Sequence, residues 1–186
     1  PNCDAYPPSS SFDVTQLSTK QKWQAQIRTP DTTRETYCRA RHEVGLWAEQ
    51  FGDAKGIAAA LDAAQVLMSA GAGAVKLEGV EGHEDVVERL AQSGIPVMGH
   101  VGLQPQSVHA YGGYRIQGRS SEAATAIALA ARKLESLGAF AVVLECIPSL
   151  LAGEITAALG IPTIGIGAGA GCDGQILVLQ DLLGMN

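Results

Sequence analysis

Residues 138–148 read Gly-Ala-Phe-Ala-Val-Val-Leu-Glu-Cys-Ile-Pro, and this stretch decides the fold class. A glycine suited to ending a helix is followed by an uninterrupted apolar run, which is typical of a strand buried on both faces of a parallel sheet. The run ends at Glu145, and a glutamate in such a place is rarely buried without a partner. Glu145 is therefore a candidate for chemistry, and the alternative is a solvated strand terminus.

The same alternation of helix and strand continues on both sides of this stretch. The pattern predicts helices at 57–70, 84–92, 120–137 and 149–159, strands at 75–79, 95–103, 140–146 and 161–168, and a last apolar strand at 175–183. The phrase Gly-Ile-Pro occurs at 94–96 and again at 160–162, each time between a helix and a strand. Such alternation predicts a parallel sheet with right-handed crossovers, and its regularity resembles a (β/α)8 barrel, whose active site lies at the carboxyl ends of the strands.

Composition and charge narrow the class of protein. The chain has 186 residues, 46% hydrophobic residues and a net charge of −6, so it can bury a core and does not offer a surface for nucleic acid. No uncharged apolar run is long enough for a membrane span. The four cysteines form no C-x-x-C pair or zinc pattern, which favours a reducing compartment: the cytoplasm, or the mitochondrion if the source is eukaryotic.

The chain divides into two unlike segments. Residues 1–56 contain seven basic and seven acidic residues, proline-rich loop sequence and one helix pattern at 34–50. Residues 57–186 contain six basic and twelve acidic residues, and the regular alternation begins there. A complete (β/α)8 barrel has about 250 residues, so the pattern predicts a barrel that is incomplete on its N-terminal side.

Three further charged or polar side chains lie on the predicted strands. Lys76 and Glu78 are two residues apart and share one face of a strand. His100 lies near the carboxyl end of the next strand. A parallel barrel would bring these residues and Glu145 to one mouth, whereas the alternatives are a plain ion pair on an edge strand and a hydrogen-bonded core histidine.

Two glycine-rich loops have open interpretations. Residues 165–174 contain one G-x-G-x-x-G, but too few residues follow for a dinucleotide domain. Two interpretations of this loop remain: its backbone lies close to a ligand, or it is a tight turn. Residues 111–119 combine glycines, tyrosines and two arginines, as in a cover that holds an anionic group or in a surface Ω-loop. No histidine spacing indicates a zinc hydrolase.

Six motifs in order resemble the ketopantoate (3-methyl-2-oxobutanoate) hydroxymethyltransferase family. They are VKLEG (75–79), GHVGLQPQS (99–107), GGYRIQGR (112–119), LECIP (144–148), IGIGAG (164–169) and DGQILV (173–178). The resemblance covers residues 57–186, about the second half of such an enzyme. It implies a (β/α)8 TIM barrel of the phosphoenolpyruvate mutase and isocitrate lyase type, and an oligomer, commonly a decamer.

The resemblance also implies an activity and residue roles. The family transfers a hydroxymethyl group from 5,10-methylenetetrahydrofolate to 3-methyl-2-oxobutanoate, with Mg²⁺, in pantothenate biosynthesis. Transferred by motif, Glu145 is the catalytic proton acceptor, Lys76 and His100 bind the keto acid, and Glu78 is a metal ligand.

The sequence departs from the family in residues 1–56. The Gly-Asp-Ser and Ala-Asp-(Met/Leu)-Pro-Phe motifs, whose aspartates hold metal and substrate, are not in this sequence. Two other functions therefore stay open: a related Mg²⁺-dependent C–C lyase or mutase, and a non-catalytic barrel remnant without the aspartate ligands.

Overall fold

The computed structural model describes residues 54–185. The predicted helix at 34–50 lies outside the described residues, as does nearly all of the segment 1–56.

Helices and strands alternate along the described chain as the sequence predicts. The helices are α1 (Ala54–Ser69), α2 (Glu84–Gln92), α3 (Ser121–Ser136), α4 (Ser149–Ala158) and α5 (Leu179–Leu182), with a 3-10 turn at Pro105–Ser107. The strands are β1 (Val75–Lys76), β2 (Val97–Gly102), β3 (Ala141–Glu145), β4 (Thr163–Ile166) and β5 (Gly174–Gln175). Within residues 54–185, none of the helices combines the length and hydrophobicity that a transmembrane span needs.

The five strands form one parallel sheet in chain order, β1-β2-β3-β4-β5. Strands β2 and β4 begin directly after Pro96 and Pro162, later than predicted, because proline has no N–H to donate to the ladder. The ladder of β1 extends beyond its bounds, since Leu77 N donates to Met98 O at 3.0 Å and Gly79 N donates to His100 O at 2.8 Å. Glu78 therefore lies beside the end of β2, as the predicted strand 75–79 required.

The core lies between the sheet and the helices that follow its strands. Residues Ala141 to Leu144 of β3 are all buried, which confirms that this strand is covered on both faces. The helices contribute apolar residues at helical spacing, such as Ala60, Ala64 and Leu67 of α1 and Val86, Val87 and Leu90 of α2.

Helix α3 approaches the sheet unusually closely at Gly99 of β2. A Cβ on Gly99 would lie 2.5 Å from Leu134 Cδ1, so only glycine leaves room for this fully buried leucine. Ser120 caps the N-terminus of the helix, since its Oγ accepts a hydrogen bond from Ala123 N at 3.2 Å. This close packing fixes α3 against the strand that carries His100.

The prediction of a last apolar strand at 175–183 is wrong. Strand β5 ends at Gln175, and α5 begins four residues later. A strand needs a neighbour to pair with, and among the described residues β5 pairs with β4 alone, over two positions. The apolar side chains that follow are 45% to 66% exposed: Ile176, Leu177, Val178, Leu179 and Leu182.

Candidate active site

Adjacent strand ends bring the four predicted site residues together. Lys76 and Glu78 come from the end of β1, His100 from β2 and Glu145 from the last position of β3. Because these strands are parallel neighbours, their carboxyl ends lie along one edge of the sheet. Glu78 and His100 are buried, and Glu145 is partly exposed.

The side chains form a continuous polar row centred on His100. Lys76 Nζ lies 3.2 Å from His100 Nδ1 and 3.7 Å from Glu78 Oε1. His100 Nδ1 is 3.9 Å from Glu78 Oε1, and His100 Nε2 is 3.1 Å from Glu145 Oε2. A single buried ring thus connects the lysine and glutamate of β1 to the glutamate of β3.

The contacts of His100 assign its tautomer. An ammonium group only donates hydrogen bonds, so His100 Nδ1 accepts from Lys76 and the ring proton of the neutral imidazole lies on Nε2. Nε2 is close to Glu145, but the geometry is not that of a hydrogen bond, and this fully buried N–H has no aligned acceptor among the described residues. Such a group costs roughly 1–3 kcal/mol when unsatisfied, so it favours an acceptor oxygen of a ligand at this point.

Glu78 has partners at both oxygens. Oε1 faces Lys76, and Oε2 accepts a hydrogen bond from Gln106 N at 3.1 Å. Within residues 54–185 no group of three His, Cys, Asp or Glu side chains is placed to hold a metal ion. Magnesium is commonly held by one or two carboxylates together with water and substrate oxygens, and Glu78 is a carboxylate at this edge of the sheet.

Glu145 is positioned by backbone contacts with β2. Gly102 is its register partner and has φ +93°, and Leu103 N donates to Glu145 O at 2.8 Å. A Cβ on Gly102 would overlap Glu145 O and lie 2.8 Å from Ile147 Cγ2. The absence of a side chain at Gly102 therefore allows β3 to bring its carboxylate to the sheet edge.

Cys146 turns the chain sharply after Glu145. It has φ +51°, and no other non-glycine residue among those described has a positive φ. Its N–H donates to Ile166 O at 2.8 Å, and its carbonyl accepts from Gln117 N at 2.9 Å, so neighbours on both sides hold this strained conformation. Burial raises the pKa of the Cys146 thiol, the carboxylate of Glu145 raises the pKa further, and Arg119 opposes both effects.

Alkylation of Cys146 should report the charge on Glu145. Because a raised pKa leaves less thiolate at neutral pH, iodoacetamide should modify Cys146 more slowly than free cysteine. Glu145→Gln should speed the reaction severalfold, and Arg119→Gln should slow it, since each removes one charge effect on the pKa. Peptide mass spectrometry across a pH series measures the rates, which should converge at alkaline pH. Glu154→Gln, on the exposed side of α4, is the control; equal rates in all four proteins would contradict the proximity of Glu145 and Cys146.

The two glycine-rich loops serve as connections within the described residues. The loop at 167–173 returns the chain from β4 to β5, and Asp173 Oδ2 anchors it by accepting from Thr163 N at 2.9 Å and Thr163 Oγ1 at 3.1 Å. This geometry favours the tight-turn interpretation. The loop at 111–119 contacts the turn after β3 through Gln117 N, and the charge of Arg119 lowers the pKa of Cys146, so it is more than an isolated surface loop.

Sequence reasoning missed the backbone donor at Gln106 and the constraint at Gly102. Gln106 lies in the 3-10 turn Pro105–Ser107, and its N–H contacts Glu78. Gln-Pro-Gln is a possible turn signal, but every residue other than proline has an N–H, so the sequence alone does not single out this donor. The need for glycine at 102 follows from the register of two strands, which the sequence pattern does not specify.

Comparison with known proteins identifies the family. The sequence model described as ketopantoate hydroxymethyltransferase matches residues 50–186. The chain belongs to the ketopantoate hydroxymethyltransferase family. This confirms the resemblance found from the six motifs.

Curated relatives of this family cover the same part of the chain. The 3-methyl-2-oxobutanoate hydroxymethyltransferase of Bdellovibrio bacteriovorus is 61% identical over 132 residues, which are 71% of this chain and 50% of the relative. The protein of the same name from Francisella tularensis is 52% identical over 126 residues, 68% of this chain and 48% of the relative. The chain thus spans about half the length of these two relatives.

A solved structure supports the barrel-type fold. A putative phosphonomutase from Burkholderia cenocepacia superposes with a TM-score of 0.52 and 14% sequence identity, covering 69% of this chain and 62% of that one. At this identity the likeness concerns the fold alone. It agrees with the predicted barrel fold, to which the described residues contribute five parallel strands.

Proposed function

We propose that this protein acts in ketopantoate synthesis, transferring a hydroxymethyl group from 5,10-methylenetetrahydrofolate to 3-methyl-2-oxobutanoate. The observation that carries the proposal is the row Lys76–His100–Glu145, with Glu78 beside it, at the carboxyl ends of three adjacent strands in a chain of this family. Since the chain spans about half the length of its curated relatives, the activity, substrates and partners of the whole enzyme are all part of this proposal.

Lys76 and His100 are suited to hold a 2-oxo acid. The Lys76 ammonium attracts the carboxylate or the keto oxygen, and the buried Nε2–H of His100 lacks an aligned acceptor, which a substrate oxygen would supply. Both donors lie where negative charge develops on the keto oxygen when a proton leaves the neighbouring carbon. Fixed donors at such a position stabilise an enolate in a water-poor site.

Glu145 is placed to remove that proton. It ends a buried strand, remains partly exposed and lies 3.1 Å from His100 Nε2. In the overall reaction, the C3–H bond of 3-methyl-2-oxobutanoate breaks and C3 bonds to the methylene carbon. Both C–N bonds of that carbon break. One water supplies the hydroxyl group of the product, and its other hydrogen, together with the proton removed from C3, completes the two N–H bonds of tetrahydrofolate. The products are 2-dehydropantoate and tetrahydrofolate.

The proposal includes Mg²⁺, and Glu78 is its one proposed ligand among residues 54–185. When bound, Mg²⁺ supplies Lewis-acid polarisation of a substrate oxygen. Among the described residues Glu78 is the proposed ligand, and its existing partners, Lys76 and Gln106 N, leave the coordination incomplete. Oxygen atoms of water, of the substrate or of further residues would complete the site. None of the steps above is routed through the metal.

The oligomeric state and the cellular compartment are proposed from the family resemblance. We propose that it assembles as a homo-oligomer, a decamer in the form common for the family, and works in the cytoplasm on small-molecule substrates.

Two measurements test the proposed function: formation of the product, and the loss of activity when Lys76 is replaced. The protein, 3-methyl-2-oxobutanoate, 5,10-methylenetetrahydrofolate and Mg²⁺ are combined, and 2-dehydropantoate is measured by mass spectrometry. Lys76→Met should reduce kcat/KM by about 10²- to 10³-fold, as loss of an oxyanion donor does. Lys133→Met, at an exposed position of α3, should leave it unchanged. Absence of product under all conditions would contradict the proposal and favour a non-catalytic barrel remnant.

A further inference from the structure

A shallow apolar groove separates helices α3 and α4 on their outer side, and it encloses a cavity of about 160 Å³. Its floor consists of Leu151, Ile155 and Leu159, which are all buried. Its two rims each carry one charged side chain, Arg132 on α3 and Glu154 on α4. None of the four site residues lines this groove, so it is a surface separate from the candidate active site.

The two charges on the rims are opposite in sign and lack partners. Both side chains are exposed, and among the described residues neither Arg132 nor Glu154 takes part in an ion pair or a side-chain hydrogen bond. Because both residues line the same small cavity, they lie at nearly the same level along the groove. The surface therefore presents one positive and one negative charge side by side.

Each rim also carries an exposed leucine one helical turn before its charge. Leu129 is 62% exposed and precedes Arg132 by three residues, and Leu150 is 82% exposed and precedes Glu154 by four. Residues at these spacings lie on the same face of a helix. Both helices connect strands of one parallel sheet, so they run in the same direction, and the two leucines lie at the same end of the charged pair.

We propose that this face binds a second copy of the chain about a two-fold axis that runs along the groove. Rotation about such an axis places α3 of one copy against α4 of the other, at the same level. Arg132 then meets the partner subunit's Glu154, Leu129 meets the partner subunit's Leu150, and each contact occurs twice. The face is thus complementary to itself in charge and in apolar surface. The inference does not depend on the proposed activity, since none of these residues belongs to the site.

The size of the face predicts a reversible dimer. Helix α3 has 16 residues and α4 has 10. At about 1.5 Å per residue and an interaxial distance of about 8–10 Å, the two helices present roughly 400–500 Å² per copy. The total of roughly 800–1,000 Å² is below the standard size of about 1,200–2,000 Å² and is typical of a weak contact. We therefore expect dimerisation that depends on protein concentration and, because the charges lie on exposed rims, on salt.

Charge reversal with rescue tests the two-fold contact. The full chain is examined by sedimentation velocity over a range of concentrations. Arg132→Glu and Glu154→Arg should each weaken dimerisation about tenfold or more, since like charges then face each other twice. The double variant should restore association to within about threefold of the unsubstituted protein, because it re-forms both pairs with their signs exchanged. Arg89→Glu, at an exposed position of α2, is the matched control and should leave association unchanged.

Leu150→Ser tests the apolar part of the contact. Because this side chain is exposed, its replacement should not lower the urea unfolding midpoint, but it should weaken dimerisation severalfold. If other contacts build a larger oligomer, this variant and the single charge reversals should halve its mass instead of dissociating it to monomers.

The proposal fails if the single reversals sediment like the unsubstituted protein, or if the double variant associates as weakly as the single ones. A chain that is monomeric at every concentration would overturn it as well, whether the groove is open or covered by another segment or another protein. Exchange of the C3 proton of 3-methyl-2-oxobutanoate in D2O should be equal in all these variants, because the groove lies on the outer side of the helices and the site at the strand ends. Exchange therefore tests the proposed function separately from the two-fold contact.

Discussion

Glu145→Gln is expected to slow exchange of the C3 proton of 3-methyl-2-oxobutanoate by about 10²- to 10⁴-fold, the range typical of a lost general base. Glutamine keeps the size of the side chain and an acceptor oxygen, but it cannot take up a proton at neutral pH. Glutamate and glutamine have the same shape, and Glu145 lies beyond the four buried residues of its strand. The substitution therefore leaves the core intact. The measurement is loss of the C3–H signal in D2O by proton NMR.

Glu154→Gln is the matched control for this result. Glu154 is exposed on α4 and is not among the site residues, so its substitution should not alter exchange. Similar exchange rates in Glu145→Gln and the unsubstituted protein would contradict the role of Glu145 as base, whereas no exchange in the unsubstituted protein would contradict the proposed function itself.

Gly102→Ala is expected to lower the free energy of unfolding by about 2–5 kcal/mol. A left-handed backbone costs a non-glycine residue roughly 1–2 kcal/mol, and crowding in a packed interior adds roughly 1–3 kcal/mol. Both apply here, because Gly102 has φ +93° and its Cβ would overlap Glu145 O. The alternative to instability is a shift of β3, which would move Glu145, so proton exchange should fall as well.

Urea denaturation measures the stability change, and Gly153→Ala provides a control of opposite sign. Gly153 lies inside α4, and a Cβ there would have no atom within 4 Å, so alanine should stabilise the helix by about 0.5–1 kcal/mol. An unfolding midpoint for Gly102→Ala equal to that of the unsubstituted protein would show that β2 and β3 are not packed as described.

The sequence predicted the strands whose apolar composition reflects burial on both faces. Strand β3 has this composition, and its observed bounds differ from the predicted ones by one residue at each end. The sequence also placed Lys76 and Glu78 on one face, because side-chain alternation is a local property of extended backbone. Predicting that these two residues meet His100 and Glu145 also required the order of the strands in the sheet. That order followed from the expectation of a barrel.

Other features depend on interactions that no local pattern specifies. The failed prediction at 175–183 took apolar composition as evidence of a strand, although pairing, not hydrophobicity, defines one. The tautomer of His100 depends on the approach of Lys76, and the hydrogen bond from Gln106 to Glu78 uses a backbone group present in almost every residue. These details arise from tertiary contacts between segments more than 20 residues apart.

The parallel sheet with its strands in chain order also has a consequence for synthesis on the ribosome. Each strand pairs with the one made just before it, so the sheet can grow by one strand and helix at a time as the chain emerges. The newest strand is then the growing edge at every stage. Among the five described strands β5 is added after the others, and the exposed Ile176, Leu177 and Val178 follow it.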